Sequence, residues 1–179
     1  MNTTTHYPAA PAAQSIEAHT LSVIVDNEPG VLARVIGLFS GRGYNIDSLT
    51  VSETEHQKHL SRITIVTRGT PMVIEQIKNQ LERLVPIHRV VDMTVAGRSI
   101  ERELAMVKVA ADAQKRPEVQ KVADALGARM IDESAGGVIF EITGGSDKIE
   151  QFIGQMLPLG LIEVSRTGIV AIARGAEGM

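Results

Sequence analysis

The sequence predicts an α+β protein built from two tandem βαββαβ units, and three observations carry that expectation. Short stretches rich in valine, isoleucine and threonine alternate apolar and polar side chains with a period near two. Between them, apolar residues fall three and four apart, the spacing of one buried helix face. The order of these segments in the first half then recurs in the second.

In the first half, "HTLSVIV" sets Leu21, Val23 and Val25 against Thr20, Ser22 and Ile24, the pattern of a strand with one buried face. Val31, Leu32, Val35, Ile36 and Phe39 form the first helical stripe. "YNIDSLTVSET" and "LSRITIVT" read as the second and third strands, Val73, Ile74, Ile77, Leu81 and Leu84 as the second helix, and "HRVVDMTV" as the closing strand. Gly37, in mid-helix, costs ~1 kcal/mol relative to alanine. Close approach by another element and simple tolerance both account for it.

The second half repeats the order. "ELAMVKVAA" is a strand, and Val119, Val122, Ala123 and Leu126 form a stripe behind Pro117, which suits a first helical turn because it has no N–H to leave unpaired. Gly127 sits where a helix stops. "RMIDES" and "GVIFEIT" form a strand pair about Gly136-Gly137, Ile149, Phe152, Ile153, Met156 and Leu157 mark a helix, and "IEVSRTGIVAIAR" supplies the last strand. A local echo supports duplication: "ITIVTRGTPMVIEQI" and "VIFEITGGSDKIEQF" both run from an apolar strand through Thr-x-Gly-Thr/Ser into an amphipathic helix, with Thr70 and Ser146 as expected N-caps. Any strand-to-helix turn selects such residues, so the matching element order carries more weight than the echo.

These units are ferredoxin-like. An antiparallel sheet with its helices on one face leaves the other face bare unless something covers it, so a homo-oligomer, most simply a homodimer, is expected. The organisation drawn from the sequence is a flexible polar tail over residues 1–18, a first domain over 19–97 and a second over 98–179, joined near Ala96–Glu103.

Composition narrows the function. With 179 residues and 44% hydrophobic content, there is enough chain for one ordinary domain or two small cores. A net charge of −3 and a pI near 6.0 leave no basic field for nucleic acid. The absence of cysteine excludes disulfides, a thiolate nucleophile and cysteine-ligated zinc, and fits a reducing, cytoplasmic setting. The tail has no basic start or apolar core, and no run is long enough to span a bilayer.

A catalytic constellation is not visible. His56 and His59 form H-x-x-H in a polar connection without an obvious third ligand, so an exposed loop competes with a metal site. "GRGYNI" lacks the third glycine of a dinucleotide fingerprint and follows a helix instead of opening one. "TRGT" and "TGGS" are too short for a phosphate loop and carry no Gly-Lys-Ser/Thr. No metal ligand set and no cofactor are expected in this chain.

A small-anion site is better supported. "DNEPGVLAR" places Asn27, Glu28, Pro29 and Gly30 at the start of the first helix, where unpaired N–H groups and the positive end of the dipole suit a carboxylate. Gly30 allows close approach to the backbone, and Asn27 can donate to a carboxylate or accept from an ammonium group. Equally, Asn27 or Asp26 serves as an ordinary helix cap.

The string "SVIVDNEPGVLARVIGLFSGRGYNIDSLTVSET", followed by "LSRITIVT", resembles the N-terminal ACT domain of the small, regulatory subunits of acetolactate synthase, also called acetohydroxyacid synthase. The resemblance continues through "QLERLVPIHRVVDMT", "ERELAMVKV", "SDKIEQFI" and "IEVSRTGIVAIARG". It implies an ACT domain followed by an ACT-like domain. It also implies a non-catalytic subunit of a transferase that activates a large catalytic subunit in branched-chain amino-acid biosynthesis and confers allosteric feedback inhibition by valine. Thiamine diphosphate, magnesium and FAD would belong to that partner, which condenses two pyruvates, or pyruvate with 2-oxobutyrate.

Carried onto this sequence, the resemblance places the valine contacts on Asn27, Gly30, Val31 and Leu32, with Asn45 and Ile46 contributed across an ACT–ACT interface. Pro29 then rigidifies the loop instead of touching ligand. "ADAQKRPEVQ", in the corresponding place of the second half, lacks the Asn-x-x-Gly arrangement, so a single type of effector site is expected. Two other readings stay open: a free-standing amino-acid sensor acting on a different system, and a small ferredoxin-like enzyme.

Overall fold

The computed structural model describes residues 15–55, 59–95, 99–110, 114–134, 136–176 and 178. Its first unit runs β1 (Glu17–Asp26), α1 (Val31–Gly41), β2 (Ser48–Glu55), β3 (Leu60–Gly69), α2 (Pro71–Leu81) and β4 (Ile87–Asp92). The second runs β5 (Ser99–Ala110), α3 (Arg116–Leu126), β6 (Arg129–Ser134), β7 (Gly137–Gly144), α4 (Ser146–Gly160), β8 (Leu161–Arg166) and β9 (Val170–Ala173). The sheets are antiparallel, in the orders β2-β3-β1-β4 and β6-β7-β5-β8. Both units are therefore the expected βαββαβ sandwiches of helices on one sheet face. β1 takes in the last two residues of the 1–18 stretch, and β5 begins inside the Ala96–Glu103 stretch, whose residues 96–98 lie outside the described residues.

Each unit has its own core. In the first, Leu21, Val23 and Val25 of β1 and Ile63 and Ile65 of β3 meet Val35, Phe39, Ile74 and Ile77 of the helices. In the second, Val107 and Val109 of β5 and Phe140 of β7 meet Val119, Ile149, Phe152 and Met156. Helical spacing placed Val31, Val35 and Phe39 of α1 and Ile149, Phe152 and Met156 of α4 inward, as observed. Leu32, Ile36 and Leu157 of the same stripes are exposed, because the sheet covers a narrower face of each helix than the apolar stripe spans. Pro117 lies in the first turn of α3, and Gly127 closes that helix in the left-handed conformation, both as expected.

Three further expectations need correction. First, β1 is buried on both faces: Thr20, Ser22 and Ile24 are enclosed as well as Leu21, Val23 and Val25. β1 is a central strand flanked by β3 and β4, and Thr64 of β3, the cross-strand partner of Ser22, is buried on the same face. Second, Thr70 caps α2, accepting from the Val73 N–H, but Ser146 is the first residue of α4 and Gly145 is its cap. The two strands end in Gly69 and Gly144, and each glycine lies under the side chain four residues on, Val73 or Lys148. That register makes Gly145, not Ser146, the counterpart of Thr70. Third, the expected final strand is split into β8 and β9 at Thr167–Ile169, with β9 pairing the first residues of β5.

Gly37 is exposed on α1, and a Cβ there would meet nothing within 4 Å. Within one chain, close approach is not what selects it. No helix among the described residues is long and apolar enough to cross a membrane.

Candidate functional site

The start of α1 has the properties of an anion seat. β1 delivers the chain into a turn held by Asp26 N–H to the Pro86 carbonyl (2.9 Å) and Asn27 N–H to the His59 carbonyl (2.7 Å). Gly30 is the N-cap residue, in the left-handed region at φ 86°, and so brings no side chain to the helix end. Asp26 does not cap the helix, because its carboxylate meets His88 Nε2 at 2.6 Å. Asn27 is exposed, and no acidic residue lies in the first turn. The Val31 N–H turns back to the Glu28 carbonyl at 3.4 Å, so it is the N–H groups of Leu32 and Ala33 that keep their donor capacity at the helix start, which favours a carboxylate there.

The expected contact residues differ in what they can offer. Val31 is 4% exposed, its side chain belongs to the core and its N–H already donates to the Glu28 carbonyl at 3.4 Å, so it offers a ligand little within this chain. Leu32 is 36% exposed and presents its side chain beside the helix start. Asn45 and Ile46 lie beyond the other end of α1, a helix of about 16 Å at 1.5 Å per residue. One chain does not bring the two groups together, so a shared site requires a neighbouring domain. Of the H-x-x-H pair, His56 lies outside the described residues.

Asn45 and Ile46 instead border a cleft of about 1100 Å³ between the two units, along with Asp47, Arg68, Glu103, Glu150, Arg166 and Thr167–Ile169. Asn45 donates to Asp47 Oδ1 (2.5 Å), Arg68 Nε donates to Asp47 Oδ2 (2.8 Å), and the Asn45 carbonyl accepts from Thr67 Oγ1 (2.6 Å).

Sequence reasoning missed the cleft's charge network. Glu103, 4% exposed, accepts from Arg166 Nε and a terminal nitrogen at 2.7 Å each, while Arg166 also pairs with Glu150. The bonds to Glu103 hold the Arg166 guanidinium above its ordinary pKa, with Glu150 adding to this and burial opposing it. The one local signal was a carboxylate at the start of the apolar run "ELAMVKV". Arg166→Met should cost about 2 kcal/mol, below the ~3–5 kcal/mol of a fully buried pair because the arginine side chain is 34% exposed. Urea unfolding checks this; an unchanged midpoint would mean that water satisfies Glu103 equally well.

Comparison with known proteins agrees with the fold and both halves of the chain. A family profile described as "AHAS small subunit-like ACT domain" matches residues 21–89, and one described as "Small subunit of acetolactate synthase" matches residues 102–175. A probable acetolactate synthase small subunit of Archaeoglobus fulgidus is 46% identical over 157 residues, 88% of this chain and 97% of the relative. The acetolactate synthase isozyme 3 small subunit of Salmonella typhimurium is 42% identical over 160 residues, 89% of this chain and 97% of the relative. The crystal structure of the acetolactate synthase small subunit from Thermotoga maritima superposes with a TM-score of 0.81 at 38% identity, covering 90% of this chain and 99% of that one. Matched along both of its units, the chain belongs to the family of acetolactate synthase small subunits.

Proposed function

We propose that this chain is the regulatory subunit of an acetolactate synthase, that it raises the activity of the large catalytic subunit, and that valine bound between two ACT domains reverses that activation. One observation carries the effector reading: in a member of this family, α1 is entered through left-handed Gly30 with its first N–H groups uncapped by any side chain among the described residues. An amino acid's carboxylate fits those donors. Its ammonium group fits the Asn27 side-chain oxygen, and Leu32 offers apolar contact from the same helix turn. Asn45 and Ile46 of a second copy, in a homodimer, would complete the pocket.

On this reading the condensation chemistry belongs to the large subunit, with its thiamine diphosphate, magnesium and FAD, and the end product acts only through differential binding. Valine must favour the arrangement in which the large subunit is less active, and a coupling of ~1–3 kcal/mol is sufficient. A ligand lying between two domains achieves this by altering their separation. Selectivity among branched amino acids should be partial, since one methylene in an apolar pocket is worth ~1–3 kcal/mol.

The direct test is acetolactate formation by the matching large subunit, with and without this chain, across a valine titration. Faster synthesis that valine suppresses supports the proposal; no effect of the chain on an active large subunit overturns it. Asn27→Ala should leave activation within twofold of wild type while raising the half-inhibitory valine concentration about tenfold, the ~1.4 kcal/mol of a lost charge-assisted hydrogen bond. Equal loss of activation and inhibition would refute this separation of roles.

A further inference from the structure

β8 and β9 lie along the same side of β5, and the break between them is a bulge. Ala105 pairs with Arg166 and Arg102 pairs with Val170, so Glu103 and Leu104 of β5 face three residues, Thr167, Gly168 and Ile169. Thr167 stays bound to β5: its N–H donates to the Leu104 carbonyl (3.0 Å), and its hydroxyl accepts from the Leu104 N–H (3.1 Å). Gly168 adopts φ 83° and turns the chain outward. Ile169 is thereby released from the ladder and binds the other unit. Its N–H donates to Ser48 Oγ and its carbonyl accepts from Thr50 Oγ1, each at 3.0 Å.

We propose that this clamp carries the occupancy of the effector site from the first unit to the second; the inference rests on the valine reading above. Ser48 and Thr50 sit on one face of β2, two and four residues after Ile46. β2 is an edge strand paired only with β3 among the described residues, so displacement at Asn45 and Ile46 is resisted from one side. The clamp has little slack: a Cβ on Gly168 would lie 2.6 Å from Ser48 Oγ. A shift of β2 therefore moves the bulge, and with it β9 and the start of β5. The adjoining cleft of about 1100 Å³ gives the second unit room to respond. By reciprocity, a partner that moves the second unit changes affinity at the effector site by the same factor.

The test uses the full chain, alone and reconstituted with its large subunit. Ser48→Ala/Thr50→Val removes both clamp hydroxyls. Calorimetry should show valine binding to the double variant within twofold of wild type, and activation should persist. The half-inhibitory valine concentration should rise at least tenfold. Hydrogen exchange across Thr167–Ala173 should respond to valine in wild type and not in the variant, whereas Thr50→Ser should keep the wild-type response. Inhibition unchanged in the double variant, or valine bound by wild type with no change in that segment, overturns the clamp. Wild type that fails to bind valine at all overturns the effector reading beneath it.

Discussion

Gly30→Val is expected to raise the valine concentration for half-inhibition by more than tenfold while leaving the chain folded and able to activate its partner. Space is not the obstacle inside the chain, because a Cβ at this position meets nothing within 4 Å. The cost to folding is the left-handed φ of 86°, about 1–2 kcal/mol for the Cβ alone and more for a β-branched valine. The cost to function is larger, since the isopropyl group would stand over the donors proposed to hold the effector's carboxylate. Gly30→Ala helps separate the two: it carries the strain of the Cβ without that of the β-branch and with a much smaller obstruction, and should lose less of the valine response. Melting curves and inhibition titrations on both variants check the pair. A Gly30→Val subunit as sensitive as wild type would remove the start of α1 as the carboxylate seat.

Phe152→Ala should cost about 3–5 kcal/mol, as aromatic truncations in closed cores do. Phe152 is 0% exposed on α4 and meets Phe140 of β7 edge to face at 6.1 Å between ring centroids. The loss falls on one core only, because the clusters beneath α1/α2 and α3/α4 share no residue. Denaturant unfolding should therefore split into two transitions, with the second unit melting first and valine still shifting the later one. A single transition at a lower midpoint would show that the units unfold together despite their separate cores.

Much of this architecture was legible because period and punctuation are local properties. Val35 and Phe39 point inward since nothing else can bury them, and Pro117 and Gly127 mark the ends of α3 through their own backbone restrictions. What escaped depends on distant partners. Ser22 is fully enclosed although its place in the alternation marks it as outward, and its hydroxyl has no hydrogen-bond partner among the described residues. Glu103 and Arg166 are far apart in sequence, and the bulge at Gly168 appears only when β8 and β9 are registered on β5. At the candidate site, turn chemistry pointed to Asn27–Gly30, and only the family resemblance added Val31 and Leu32. Asn45 and Ile46, proposed as its second half, stand at the far end of α1, and no pattern within one chain joins the two.

The bulge also sets how easily the two halves could part company over evolutionary time. Four steps along the β8–β9 segment, from Arg166 to Val170, match three along β5, from Ala105 to Arg102. Deleting a single codon there would equalise the count and leave every flanking pair in phase. β8 and β9 would fuse into one uninterrupted strand, and the main-chain groups now offered to β2 would return to β5. On the proposed reading, both units would survive that deletion intact, so a descendant that no longer answers to valine would lie one in-frame loss away, without passing through an unfolded ancestor.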